Sequence, residues 1–324
     1  MLKFIISSWE QSMAQSGQPV ELLKRDLHRL FQAITSIMRN DTPTLIGVQS
    51  VALKNFPSWL SVLDKVFTVK ELSEIAANMI NAVRPSGTDI DNKRKVISVE
   101  QMGVILAMVR GPLFVNKGTS CQAALSLSLS CSSRSLTSSL GLVADSRNIL
   151  TPLVIQQLRR HLGGSQPDVI KSCAEILSVL LDGLQAEWDE EQELLQSVIS
   201  LLPEMMHAIT FARANSDDRL LLMISTCFLS MVFQGDPNSI LTAGGTLRVD
   251  SSEQQAYLLQ FCELLLLLIR DCPYAKNWFA LVMLFYGVLA KCLSIIVSHL
   301  MSKNPSYVRS VWLSLSLSLL ESST

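Results

Sequence analysis

Residues 20–37 read VELLKRDLHRLFQAITSI, and their apolar side chains recur at alternating intervals of three and four positions. The positions that share this spacing are Val20, Leu23, Leu27, Leu30, Ile34 and Ile37. A helix of about 3.6 residues per turn brings such positions onto one face, whereas a half-buried strand needs strict alternation. The segment therefore predicts an amphipathic helix with one buried stripe.

Two later segments show the same spacing. One contains Ile170, Cys173, Leu177, Leu180 and Leu184, and the other contains Leu195, Val198, Leu202, Met205 and Ile209. Strand-like alternation occurs only within two Leu/Ser-rich runs, and no partner strand is evident near either of them. The fold class predicted from these patterns is all-α.

Capping residues and glycines divide the chain into many predicted helices. Thr42-Pro43 and Thr151-Pro152 each combine an N-cap hydroxyl with a proline at the first helical position. Capping-box spacing occurs at Thr68/Glu71 and at Ser98/Gln101. The predicted bounds are 2–15, 19–39, 43–55, 57–66, 70–83, 98–110, 149–162, 167–185, 188–213, 216–233, 253–270, 275–301 and 305–320.

Short connections between these helices make neighbouring helices antiparallel. A row of such pairs, each burying its stripe against the next pair, is an irregular α-solenoid of antiparallel helical hairpins of the armadillo, HEAT or TPR type. No complete repeat signature of those families occurs. The predicted organisation is N-terminal hairpins at 1–114, a Ser/Leu-rich insertion-like loop at 115–147, C-terminal hairpins at 148–301, and a weakly determined Leu/Ser-rich end at 302–324.

The composition narrows the class of protein further. Apolar residues make up 48% of the 324 positions, charged residues make up only 17%, and the net charge is −1. Such a chain is neither intrinsically disordered nor a charged coiled coil, and it has no basic excess to attract nucleic acid. An interior part of a long solenoid has this composition because its end hairpins lack polar caps. We therefore expect the isolated chain to be prone to aggregation.

The segment 258–301 raises the alternative of a membrane protein, because Trp278–Ala290 carries no charge. Lys291 interrupts that run, and two apolar helices of a packed interior explain it better than a membrane span does. The N-terminal MLKFIISSWEQ is similarly interpreted as the start of a buried helix and not as a signal peptide. The seven cysteines include no CxxC pair and are expected to be reduced core residues of a cytoplasmic protein.

No motif in the sequence carries chemistry. Neither GxxxxGKS nor GxGxxG occurs, and the four histidines, at 28, 161, 207 and 299, lack ligands at metal-binding spacing. The charged runs Trp188–Glu193, Lys93–Lys95 and Arg159–His161 are interpreted as helix ends or solvated segments. We therefore predict no catalytic, cofactor-binding or metal-binding residues, no cofactor, and a scaffold in place of an enzyme. An unrelated armadillo or HEAT adaptor is an alternative.

Several stretches resemble one known family when they are read in order along the chain. They are LHRLFQAI at 27–34, IGVQSVALKNFPS at 46–58, VFTVKEL at 66–72, NILTPLV at 148–154 and NW at 277–278. They look like the helical-repeat region of the dedicator-of-cytokinesis (DOCK) family, between its C2-type lipid-binding domain and its exchange domain. The resemblance covers roughly 20–115 and 147–300, and the chain departs from the family pattern at 118–146.

The resemblance implies a role in signalling through small GTPases. The parent protein would exchange guanine nucleotides on a Rho-family, Rac-like GTPase, with an adaptor of the ELMO type as partner. It would be cytoplasmic, with peripheral recruitment to the plasma membrane. Exchange and lipid binding belong in that family to domains that we do not find in this sequence, so no residue is assigned a catalytic role.

Overall fold

Helices form every regular element in the described part of the chain. The computed structural model describes residues 20–83, 92–111, 114, 135–185 and 192–235, together with 4, 6–9, 239–240, 243, 257, 260–261, 263–265 and 267–268. The helices are α1 (Val20–Arg39), a 3-10 turn (Pro43–Leu45), α2 (Ile46–Leu63), α3 (Val69–Ala82), α4 (Asn92–Val109), α5 (Ser135–Leu162), α6 (Pro167–Gln185), α7 (Gln192–Ile199), α8 (Leu202–Ala214) and α9 (Asp218–Gln234). The all-α prediction is confirmed.

The chain divides into two compact units. The first contains almost all of α1 to α6, and the second contains α7 to α9. Within the first unit, α2 packs extensively along α4, and α1 packs along α3. Contact between the consecutive helices α1 and α2 is much smaller. This arrangement, in which equivalent helices of successive pairs lie side by side, is the packing of helical-repeat proteins.

Aromatic side chains form part of the core of the first unit. Phe31 of α1 and Phe56 of α2 are both buried, and their ring centroids lie 6.4 Å apart in an edge-to-face arrangement. Trp59 contacts both rings at 6.3 and 6.2 Å. Edge-to-face pairs at this spacing add to the stabilisation that burial provides. They fix the face of α1 that points inward.

The buried face of α1 lies beside the predicted stripe and does not coincide with it. Leu27, Phe31 and Met38 are buried, whereas Ile37 is 37% exposed. The prediction that Ile37 lies in the core is therefore wrong. Apolar spacing locates a face only within one residue, and Phe31 and Met38 are the larger groups that fill the space against the neighbouring helices.

Helix α2 runs through Pro57, where the sequence predicted a break between 55 and 57. Proline removes one backbone hydrogen bond from a helix interior. Leu53, Phe56 and Leu63 on either side of it are completely buried, so their packing offsets that loss.

Two helices begin earlier than predicted. Because α4 begins at Asn92, Lys93–Lys95 lie in a helix and not in a polar loop. Ser98 is consequently a buried interior residue, and the capping box predicted for Ser98 and Gln101 is wrong. Helix α5 begins at Ser135, so Thr151-Pro152 lies inside it and does not start it. The capping box at Thr68 and Glu71 is confirmed.

The second unit begins with a helix that the sequence analysis predicted as continuous over 188–213. The structure divides it at Ser200 and Leu201 into α7 and α8, with Pro203 in the first turn of α8. The missing N–H of Pro203 would have bonded the carbonyl of Ile199, which explains the break. The apolar stripe is nevertheless correct for Val198, Leu202, Met205 and Ile209, which are all completely buried.

Helices α8 and α9 form a closely packed pair joined by a very short turn. Ser216 has a φ of 54°, the left-handed conformation. Its N–H donates to Arg213 O, and the N–H of Asp217 donates to Ala212 O, each at 3.1 Å. This is the Schellman pattern of helix termination. The side chain of Asp217 then accepts the N–H of Leu220 at 3.0 Å and caps α9.

Gly235 ends α9, and a glycine just past the end of a helix predicts a left-handed backbone. Its φ of −70° is open to any residue, so that prediction is wrong. A Cβ at this position would lie 2.8 Å from Ile199 Cδ1 and 2.9 Å from Met231 O. A residue with a Cβ would therefore need both the Ile199 side chain and the end of α9 to shift, which favours glycine here.

Several predictions lie outside the described residues. These are the segment 115–134 of the insertion-like loop, the helices over 275–301 and 305–320, and the Leu/Ser-rich end at 302–324. The predicted domain bounds stay a prediction. Among the helices that the structure describes, none is long and apolar enough to cross a membrane.

Candidate functional site

Gln49 of α2 is a polar side chain at a buried position. It is 5% exposed, and its Nε2 donates to Asn40 O at 2.7 Å, Ile37 O at 2.9 Å and Met38 O at 3.4 Å. The last carbonyls of a helix have no partner within it. Gln49 therefore supplies donors at the end of α1, where Ile37 O also accepts the N–H of Asn40 at 3.2 Å, and closes the connection between α1 and α2.

A second buried glutamine closes the next helix pair. Gln101 of α4 is 2% exposed, and its Nε2 donates to Ile80 O, near the end of α3, at 3.0 Å. The same Nε2 lies 3.5 Å from Oε1 of Gln157, which also accepts from Arg160 Nη1 at 3.4 Å. These contacts connect α3, α4 and α5. Primary amides neither titrate near neutral pH nor act as nucleophiles, so this cluster is structural.

One ion pair joins α1 to α3. Lys24 Nζ lies 3.1 Å from Glu71 Oε2, and Glu71 also completes the capping box with Thr68. Burial acts to raise the pKa of Glu71, but hydrogen bonds from Thr68 and Lys24 outweigh it, so the pKa lies below its ordinary value. A carboxylate held ionised in this way serves the helix start and the pair, and not proton transfer.

The histidines of the described residues lie in three different settings. His28 contacts the ring of Phe67 edge-on at 5.0 Å, and His207 is exposed. His161 is half-buried, and burial, with a smaller effect of Arg160, lowers its pKa to about 4. Its Nε2 is buried and has no hydrogen-bond partner within the described ranges of the chain. His299 lies outside the described residues.

The two described cysteines, Cys173 and Cys227, are buried thiols that form no disulfide with each other. Burial raises the pKa of Cys173 far above its ordinary value, so its thiol stays protonated and is a poor nucleophile. Within the described ranges, no group of three His, Cys, Asp or Glu side chains is placed to hold a metal ion.

A small depression lies where the ends of α1 and α3 meet the beginnings of α2 and α4. It is lined by Met38, Asn40, Asp41, Ile46, Gln49, Val83 and Ile97 and holds about 20 Å³. That is room for about one water molecule. The depression is too small for a cofactor or a substrate.

The outer face of α2 and α4 is the candidate contact surface of the first unit. Val48, Val51 and Val96 are 51%, 59% and 47% exposed. Lys54 Nζ and Glu100 Oε1, 3.1 Å apart, join the two helices and neutralise each other's charge. Exposed valines at neighbouring positions are suited to contact with another protein surface, although single exposed apolar residues are common.

Sequence reasoning missed the buried glutamines. Gln49 falls three and four positions before Ala52 and Leu53, and Gln101 falls four positions before Ile105, so each occupies the buried face of its helix. A polar residue on an apolar face was the available signal. The charged run at 188–191, in contrast, lies outside the described residues.

Comparison with known proteins identifies the helical region. The sequence model described as the Dedicator of cytokinesis (DOCK) TPR region matches residues 1–310. Dedicator of cytokinesis protein 4 of Mus musculus is 24% identical over 298 residues, which are 86% of this chain and 13% of that protein. Dedicator of cytokinesis protein 3 of Homo sapiens is 25% identical over 218 residues, 64% of this chain and 9% of that protein.

The family match excludes one of the predicted alternatives. The chain spans 9% to 13% of the length of these curated relatives. Since the match extends over 1–310, the alternative of an adaptor unrelated to that family is wrong. The chain belongs to the dedicator-of-cytokinesis family, and it is a helical, TPR-like region of that family.

Proposed function

We propose that this chain is the helical scaffold of a guanine-nucleotide exchange factor for a Rho-family, Rac-like GTPase. The observation that carries the proposal is the family match over residues 1–310. The arrangement of the described polar side chains supports it, because Gln49, Gln101 and Glu71 each hold one helix against another. In this proposal the chain positions other parts of the parent protein and does not itself exchange nucleotide.

The partners follow from the same proposal. The parent protein would act on the GTPase and bind an adaptor of the ELMO type, in the cytoplasm and at the plasma membrane. We propose the valine surface formed by Val48, Val51 and Val96 as one part of the first unit for contact with another domain or protein.

A nucleotide-release assay tests the proposal. Rac carrying a fluorescent GDP analogue is mixed with excess GTP and with the purified chain, and a chelator of Mg²⁺ serves as the positive control for release. We expect the chain to leave the spontaneous release rate unchanged. Release well above that rate would show that the chain carries exchange activity itself and would overturn the scaffold proposal.

The membrane alternative concerns residues 258–301, most of which lie outside the described residues. Alkaline carbonate extraction of cells that express the chain distinguishes a scaffold from a membrane protein. A scaffold leaves the membrane pellet, whereas a protein with helices inserted at 258–301 stays in it.

A further inference from the structure

The sequence contains a Ser or Thr directly before proline at only two positions, Thr42-Pro43 and Thr151-Pro152. The structure places the two dipeptides in different settings. Thr42 is exposed in the connection between α1 and the 3-10 turn, with the extended backbone angles φ −66° and ψ 123°. Thr151 is half-buried inside α5, with Pro152 inside the same helix.

The hydroxyl of Thr42 has only local partners. Its Oγ1 donates to Asn40 Oδ1 at 2.5 Å, and its N–H donates to the same oxygen at 3.0 Å. Its side chain makes no capping bond to the following turn, and that turn, Pro43–Leu45, contains no buried residue. Opening of the turn Pro43–Leu45 therefore costs little free energy, because few apolar contacts are lost.

We propose that Thr42 is a phosphate-acceptor site for a proline-directed Ser/Thr kinase. An enzyme of that class selects the fixed φ and the missing N–H of the proline that follows its target. The Thr42 oxygen would attack the γ-phosphorus of ATP, the bond from that phosphorus to the β-phosphate oxygen would break, and ADP would leave. The hydroxyl proton goes to the catalytic aspartate of the kinase.

Phosphorylation of Thr42 changes the surface charge and leaves the connection between α1 and α2 closed by Gln49. A phosphothreonine carries a charge of about −1.5 to −2 at neutral pH. Phosphorylation removes the donor bond from Thr42 to Asn40 Oδ1. It leaves the bonds from Gln49 to the carbonyls of Ile37 and Asn40 in place, because these do not involve Thr42.

The experiment compares the two dipeptides in the full chain. The wild type, Thr42→Ala and Thr151→Ala are each incubated with a mitogen-activated protein kinase and ATP, and phosphate is located by intact mass and peptide mapping. We expect one phosphate on the wild type and on Thr151→Ala, and none on Thr42→Ala. Occupancy at 42 should exceed occupancy at 151 by about tenfold or more, since a difference of about 1.4 kcal/mol in local opening gives that ratio.

Three outcomes would overturn the proposed site. They are no incorporation into the wild type, equal occupancy at 42 and 151, and incorporation into Thr42→Ala at the level of the wild type. Far-UV circular dichroism of Thr42→Ala serves as the control for folding, since the loss of an exposed hydroxyl should leave the helices unchanged.

Discussion

The two units close their helix pairs in different ways. In the first unit, the connection between α1 and α2 is closed by a buried side chain, Gln49, which donates to carbonyls 9 to 12 positions earlier. In the second unit, the connection between α8 and α9 is closed by the backbone, through the bonds of Ser216 and Asp217 to the preceding turn. The first device depends on tertiary packing, whereas the second is almost entirely local.

A glutamine in the second unit makes the contrast sharper. Gln234, the last residue of α9, is 5% exposed, yet neither its Nε2 nor its Oε1 has a hydrogen-bond partner among the residues that the structure describes. A buried polar group without a partner costs about 1–3 kcal/mol. The same residue type therefore stabilises the fold at position 49, where it meets helix-end carbonyls, and destabilises it at position 234.

The largest expected change in the free energy of unfolding comes from a core substitution in the first unit. Leu177 of α6 is completely buried, and Leu177→Ala should lower the free energy of unfolding by about 2–5 kcal/mol. Ser178→Ala, at the exposed neighbouring position, is the matched control and should change it little. Urea denaturation measures both, and equal losses would mean that the buried face of α6 is assigned wrongly.

In the first unit, the buried Nε2 of His161 has no hydrogen-bond partner among the described residues. Unlike Gln234, His161 titrates. Its pKa of about 4 lies below the ordinary value of 6.5, so between these values the unfolded chain binds the proton more readily. Above pH 6.5 the neutral His161 leaves the free energy of unfolding at its full value. As the pH falls from 6.5 towards 4, this free energy decreases by up to about 3 kcal/mol.

Urea midpoints at pH 7 and pH 4.5 test this dependence. His161→Gln cannot titrate, so it should lose less stability than the wild type over the same interval. The other titrating groups are common to both proteins and cancel in the comparison. The same loss in both would contradict the buried, neutral state of His161.

Replacement of Gln101 tests closure by a side chain at the second helix pair. Gln101→Met removes one of two donors to Ile80 O, which keeps the N–H of Val83 at 3.2 Å, so the free energy of unfolding should fall by about 0.5–1.5 kcal/mol. Gln156→Met, at an exposed position of α5, is the control for the same change in composition. A loss no larger than that of the control would show that the amide at 101 is not needed.

The smallest expected effect on stability concerns the turn between α8 and α9, which backbone hydrogen bonds close. Ser216 adopts the left-handed conformation, which glycine adopts without strain, so Ser216→Gly should stabilise the second unit by about 0.5–1 kcal/mol. Ser178→Gly, in the interior of α6, should destabilise the chain by a similar amount. If both substitutions destabilise, the turn at 215–217 does not have the proposed geometry.

The helical content of the fold was predictable because apolar spacing is a property of neighbouring positions. The buried stripes of α6 and α8 were correct at Ile170, Leu177 and Met205. The helix limits were less predictable, since they depend on packing between distant segments. Pro57 was expected to begin a new helix after a break, but it lies inside α2, where the buried side chains around it outweigh one lost hydrogen bond.

The polar contacts were predictable only where both partners are close in sequence. The capping box at Thr68 and Glu71 spans three positions and was found, whereas the contact from Gln101 to Ile80 spans 21 positions and was missed. Capping-box spacing also gave a wrong prediction at Ser98, because α4 begins before this residue. Tertiary neighbours decide such contacts, and a single sequence does not show them.

The same substitution at two buried glutamines tests the central comparison most directly. Gln49→Met removes the donor to three helix-end carbonyls, and Gln234→Met removes two polar atoms without partners. Urea denaturation of both variants should show opposite signs: a loss of about 1–3 kcal/mol for Gln49→Met and a gain of about 1–2 kcal/mol for Gln234→Met. Changes of the same sign in the two variants would contradict the account.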